Sequence, residues 1–167
     1  MKPTVSRTVG DLVAVSEKLL KRGYHVRIKA GGQSMYPYLL NGDQLEVEPA
    51  TLETLEPGDI VVFRRNQNLI AHRLHQVTGS GEHIRGLSIG DSGLSKDEML
   101  TPDIVAGRVV ARVRDGEEKP LRTPEAIRYG KRMVRLYPVP HFFAQLRLRF
   151  SQLLRRAGNL ARKVSKS

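Results

Sequence analysis

The 167-residue chain contains no cysteine, which excludes a disulfide framework and any thiolate metal centre and leaves packing to hold the fold. Long hydrophobic runs are also missing. Apolar stretches such as Leu12 to Val15 fall far short of the roughly 20 residues that span a bilayer as a helix. Near the N-terminus, Asp11, Glu17 and Lys18 interrupt what would otherwise be the apolar centre of a secretory signal. The expectation is therefore a cytoplasmic or peripherally membrane-associated protein with neither a transmembrane helix nor a signal peptide. There is no internal period and no monotonous stretch to suggest a repeat array or a disordered linker. Acid is scarce in the last quarter: residues 124–167 hold eleven Lys/Arg and one acid, against 17 basic and 16 acidic residues elsewhere. Positive charge concentrated in this way attracts phosphate-bearing partners, either lipid headgroups or nucleic acid.

What is present divides into three segments: an N-terminal helix (residues 1–23), a β domain (24–123) and a basic helical tail (124–167). Residues 8–22 predict a helix, with Thr8 as cap, Leu12, Val15, Leu19 and Leu20 on one face, and Gly23 as stop. Short β-like runs follow at His25–Lys29, Gln44–Val47, Asp59–Phe63, Leu69–Val77, Ile84–Ile89 and Ile104–Val113. They are separated by turns such as Gly31-Gly32, Asn41-Gly42-Asp43, Pro57-Gly58-Asp59 and Asp115-Gly116. Many short strands at this spacing predict a mainly β fold, closed or partly closed and antiparallel. Beyond Pro124 the helical pattern returns near 125–136 and again from about 141 to 163. In the second stretch Phe143, Leu146, Phe150, Leu153, Ala157 and Leu160 form an apolar stripe flanked by arginines.

Ser34 follows Gly31-Gly32-Gln33 and precedes Pro37, a setting that can hold a hydroxyl exposed and fixed, although a serine beside glycines is more often a plain turn residue. A serine nucleophile needs a base at neutral pH, and His72 and His75, in the strand-like run Ile70 to His75, are the candidates. Strand alternation puts His72 with Leu74 on one face and Arg73 with His75 on the other, so only one of the two histidines can readily share a site with Ser34. An imidazole base wants a carboxylate at its second nitrogen. Asp91 and Asp97, in the loop after the Ile84–Ile89 run, are the two that fit, with turn or cap chemistry as their alternative role.

Ser34-Met35-Tyr36-Pro37, Asn41-Gly42-Asp43, Pro57-Gly58-Asp59-Ile60-Val61-Val62-Phe63, Ala71-His72-Arg73 and Gly90-Asp91 stand in the order found in type I signal peptidases. Over about residues 26–110 the chain resembles the superfamily that joins these enzymes to LexA-type self-cleaving repressors. With His-Arg where the base belongs, it is most similar to the Ser-His branch of endoplasmic-reticulum, archaeal and sporulation-type enzymes. The resemblance implies a signal peptidase-like β-barrel or coiled β-sheet domain. It implies a serine endopeptidase that cleaves a leader or signal-like peptide through an acyl-enzyme on Ser34, with His72 as general base. Asp97 would orient His72, and Asp91 would support it or shape the loop. Small side chains before the cut and no metal or organic cofactor are further implications. Gly32 stands where the family commonly has a serine that donates to the oxyanion, and the loop after Asp91 has Ser-Gly where asparagine is usual. Partners implied are a peptide or protein substrate and, through residues 141–163, an anionic membrane surface. The competing reading is a non-catalytic or self-cleaving LexA-like regulatory protein whose basic tail binds nucleic acid or membrane. No helix-turn-helix precedes the β region, the base reads as His rather than Lys, and the basic tail, with Phe143 and Phe150 on its apolar stripe, lacks the aromatic interleaving expected of a single-strand reader, which disfavours nucleic acid.

Overall fold

The computed structural model describes residues 9–93 and 97–136; the expected helix at 141–163 lies outside the described residues. The elements run α1 (Val9–Lys21), β1 (Val26–Lys29), β2 (Gln44–Pro49), β3 (Ile60–Arg65), β4 (Asn68–Thr78), a 3-10 turn (Gly81–His83), β5 (Arg85–Ile89), β6 (Glu98–Leu100), β7 (Val105–Arg114), β8 (Glu117–Pro120) and α2 (Pro124–Leu136). Every strand pairing is antiparallel. The strands form one sheet in the order β1-β2-β7-β3-β4-β5-β6, with β8 alongside β7. The fold is mainly β, as the strand and turn pattern implies. Among the described residues the terminal strands β1 and β6 do not pair with each other, so the sheet does not close through them.

β3 explains why the sheet wraps two cores. Its Ile60-Val61-Val62-Phe63 run is fully apolar and buried on both faces, the pattern of a strand covered on each side. Ile60 and Val62 join Leu20, Val26, Met35, Leu39, Leu45, Val47 and Val109 in one cluster. Val61 and Phe63 join Leu52, Leu55, Leu74, Ile84 and Leu100 in the other. Each such side chain contributes about 1.5–3 kcal/mol when taken out of water.

α1 ends where Gly23, at φ 90, adopts the left-handed conformation and the Gly23 and Tyr24 N–H groups donate to the Leu20 and Leu19 carbonyls. The expected apolar face is only partly used. Leu20 is buried, but Leu12 and Val15 are more than half exposed and Leu19 is exposed as well. Glu17, whose carboxylate accepts from Arg64 Nε at 3.1 Å, helps to fix this orientation.

α2 is laid directly on the β domain. Its Gly130 backbone meets the Pro57-Gly58-Asp59 turn so closely that a Cβ on Gly58 would stand 2.9 Å from the Gly130 carbonyl carbon. Tyr129 stacks on Tyr38, with ring centroids 4.6 Å apart. Two strands were not foreseen from the sequence. β6 has only three residues, too few for alternation to register, and β8 is the wholly exposed polar edge Glu117–Pro120.

Candidate active site

The loop between β1 and β2 carries Ser34, and its own side chains pin it at both ends. The Ala30 N–H donates to the Asp43 carbonyl at 2.7 Å and the Gly42 N–H to the Ala30 carbonyl at 2.9 Å. The Gly32 N–H donates to Asn41 Oδ1 at 3.2 Å. Asp43 is buried, takes two hydrogen bonds from Arg114, each 2.8 Å long, and accepts from the Leu40 N–H. The Arg114 hydrogen bonds hold its carboxyl below the usual aspartate range. Inside the loop, Met35 and Leu39 plunge into the first core, and the Tyr36–Pro37 peptide is cis. The Ser92 N–H donates to the Ser34 carbonyl at 2.9 Å, so a second loop clasps the first at the serine itself.

β4 delivers the partner. His72 lies opposite Val61 in the β3 register and is buried, with its Nε2 3.1 Å from Ser34 Oγ. In the Nδ1–H tautomer His72 accepts the Ser34 hydroxyl proton, the geometry required of nucleophile and base. Burial pushes the His72 pKa below its ordinary value, which keeps the ring neutral and able to accept a proton near pH 7. Phe63 packs edge-on against the imidazole at 5.8 Å. His75 occupies a bulge where the β4–β5 register shifts, and burial lowers its pKa to about 4. Of the two candidate histidines, His72 is the one brought to Ser34.

The two candidate acids are placed otherwise. Asp91 forms a two-pronged ion pair with Arg73, at 2.8 and 2.6 Å, in which both side chains are almost wholly buried (2% and 1% exposed). Arg73 also donates to the Gly58 carbonyl at 2.7 Å and lies over the Tyr38 and Tyr129 rings. Asp97 is exposed just before β6, where its charge acts on His75. Nδ1 of His72 is buried with no hydrogen-bond partner among the described residues. Neither acid is brought to it, because Asp91 belongs to the opposite face of β4.

Sequence reasoning missed Arg73 as the centre of this second cluster. The signal was an arginine inside an apolar strand run, which cannot be buried without a carboxylate to match it. The second Gly-Asp turn is structural in the same sense, since Asp59 accepts from Arg108 at 3.1 Å and from Arg122 at 2.8 Å.

Ser34 and His72 open on a cleft of about 380 Å³. One wall is β1 with Ala30, Gly31 and Gly32, the other the start of β4 with Leu69, Ile70 and Ala71, and Arg65 stands among its lining residues. Among the described residues both walls are strand edges: β1 ends the sheet, and residues 68–72 of β4 pair with β3 alone, since β5 pairs with β4 from Arg73 onward. Gly32 has φ 79 with open space around its Cβ position, so it is backbone conformation that favours glycine there. Among the described residues no group of three or more His, Asp or Glu side chains is placed to hold a metal ion, and no helix is long and apolar enough to cross a membrane.

A search of curated proteins finds no match. The family model described as Peptidase S24-like matches residues 2–115, well over half of the chain and the whole of the Ser34–His72 cleft. That family includes serine peptidases and self-cleaving LexA-like regulators. The chain belongs to the Peptidase S24-like family.

Proposed function

We propose that the protein is a serine endopeptidase that cuts a leader or signal-like peptide through an acyl-enzyme on Ser34, with His72 as base. The observation that carries the reading is the 3.1 Å approach of His72 Nε2 to Ser34 Oγ in the cleft between two strand edges. An extended peptide can pair with such edges through its main chain, and the small Ala30, Gly31, Gly32 and Ala71 leave shallow room for small side chains before the cut.

In the forward step Ser34 Oγ bonds to the scissile carbonyl carbon while its proton passes to His72 Nε2. The carbonyl oxygen takes up the negative charge and accepts a hydrogen bond from the Ser34 N–H. Collapse breaks the C–N bond, and the leaving amine takes the proton from Nε2. Water then attacks the ester, giving one proton to His72, which returns it to Ser34 Oγ as the acid product leaves. With Gly32 in place of a hydroxyl donor, the oxyanion has one donor fewer than the usual family arrangement, a difference worth about 10²- to 10³-fold in rate.

The test is digestion of a set of peptides with alanine before the cut, with products mapped by mass spectrometry. Cleavage by wild type that vanishes in folded Ser34→Ala and His72→Ala supports the reading. Folded wild type that cuts no peptide, and leaves its own chain intact, sinks it; cleavage confined to its own chain would make it a self-processing regulator instead. Contact of the basic tail with an anionic lipid surface is a second part of the proposal and rests on charge and amphipathic spacing alone. Sedimentation with anionic vesicles that is lost when residues 141–167 are removed is its expected outcome, whereas salt-sensitive DNA retention without vesicle binding would contradict it.

A further inference from the structure

The sheet face that carries His72 also carries a carboxylate that the sequence pattern did not single out. In an antiparallel ladder, directly opposite residues project to the same face, as do residues two apart on one strand. The pairings Val61↔His72, Leu74↔Ser88 and Ser88↔Glu98 therefore put His72, Leu74, Ser88 and Glu98 on one face, together with Phe63 and Arg65 of β3. On this face Arg65 Nη1 donates to Glu98 Oε1 at 2.7 Å. Arg65 also lines the same cleft as Ser34 and His72.

We infer that Glu98 is the positioning carboxylate of His72, held away from the imidazole by Arg65 until a substrate in the cleft engages the guanidinium. The inference rests on the reading of His72 as base. When Nε2 takes a proton, the imidazole becomes a cation whose Nδ1–H is buried near Phe63 with no acceptor among the described residues, which is costly in an apolar setting. A carboxylate that approached Nδ1 would fix the tautomer and stabilise that cation. Among the charges acting on His72, Glu98 favours the cation most, Arg65 opposes it, and Asp91, already committed to Arg73, favours it less. The two partners also differ in access. Arg65 is about half exposed and Glu98 mostly covered, at 47% and 19%, so a substrate carbonyl or carboxylate can draw the arginine away while the glutamate stays. Released from Arg65, Glu98 has the imidazolium on its own sheet face as a counter-charge.

The experiment measures acylation of Ser34 in the full chain by a β-lactone probe in wild type, Glu98→Gln, Arg65→Met and the double variant, with the His72 titration followed by NMR in each. Glu98→Gln is expected to slow labelling on the order of tenfold, the scale of one charge-assisted hydrogen bond, and to lower the pH at which His72 titrates. Arg65→Met is expected to raise both, and the double variant to stay slow like Glu98→Gln. A double variant that returns to wild-type rate, the result of two independent charges cancelling, would overturn the inference. So would labelling in wild type with rate and titration unmoved by Glu98→Gln. If wild type does not label but its His72 titration still falls in Glu98→Gln, the nucleophile reading fails while the Glu98–His72 pairing stands.

Discussion

His72 and Arg73 are neighbours on β4, and the two faces they serve are finished to different degrees. Arg73 is saturated, with a two-pronged bond to Asp91, a bond to the Gly58 carbonyl and two tyrosine rings against its guanidinium. His72 is buried to the same extent, yet among the described residues its ring nitrogens meet Ser34 Oγ at Nε2 and no hydrogen-bond partner at Nδ1. A fully satisfied buried charge is a fixed joint, because any displacement would leave it unpaired. A buried imidazole whose ring N–H lacks an acceptor among the described residues can change protonation state and partner. The fixed side holds the reactive side: Asp91 is bonded to Arg73, and the next residue, Ser92, donates to the Ser34 carbonyl. The joint behind the strand therefore sets the position of the nucleophile in front of it.

The sharpest way to separate the faces is to disable each in turn. His72→Ala is expected to slow acylation of Ser34 by about 10²- to 10⁴-fold, the usual contribution of a general base. Ser34→Ala is expected to abolish acylation while changing unfolding stability by no more than about 0.5 kcal/mol. Asp91→Ala should show the reverse pattern, losing about 3–5 kcal/mol in chemical denaturation because Arg73 is left buried and unpaired. If Asp91→Ala were instead as stable as wild type, the joint would not be structural.

A milder break is Gly130→Ala. The added methyl collides with the Gly58 carbonyl, which should cost about 1–3 kcal/mol and weaken the Tyr129–Tyr38 stack, read as a change in near-ultraviolet circular dichroism. The smallest effect concerns pH. His75, with its folded pKa lowered by burial to about 4 against an ordinary 6.5, is neutral in the fold at pH values where the unfolded chain is protonated. Stability associated with this group is therefore present above about pH 6.5 and lost as pH falls toward 4. His75→Gln should reduce the drop in melting temperature between pH 7 and pH 5; an unchanged drop would assign it to other groups.

Much of this arrangement was legible before any coordinates, because alternation along Ile70 to His75 separates His72 from Arg73 and His75 and the Gly-Asp turns bracket the strands. What local pattern could not carry was the pairing between elements. Asp97 was read as orienting the histidine and Asp91 as supporting it or shaping the loop, but a buried Arg73, one residue from His72 on the opposite face, has the stronger claim on Asp91, and Asp97 lies exposed before β6. Glu98 went unnoticed because it stands in a three-residue strand whose face is defined only by the register of β4, β5 and β6. Leu12, Val15, Leu19 and Leu20 were read as one face, yet Leu20 with Glu17 sets the roll of α1 and leaves the other three outward. Sequence periodicity shows that a helix has an apolar face; tertiary contacts decide which way it turns.

The most direct test of the account is the pH dependence of Ser34 acylation, followed by intact mass and set beside the NMR titration of His72. The account predicts that the rate falls with acid at a midpoint below the ordinary histidine value, coincident with the His72 titration, and that His72→Ala removes this dependence together with most of the rate. Labelling that proceeds equally fast in His72→Ala, or that follows an ionisation unrelated to His72, would contradict it.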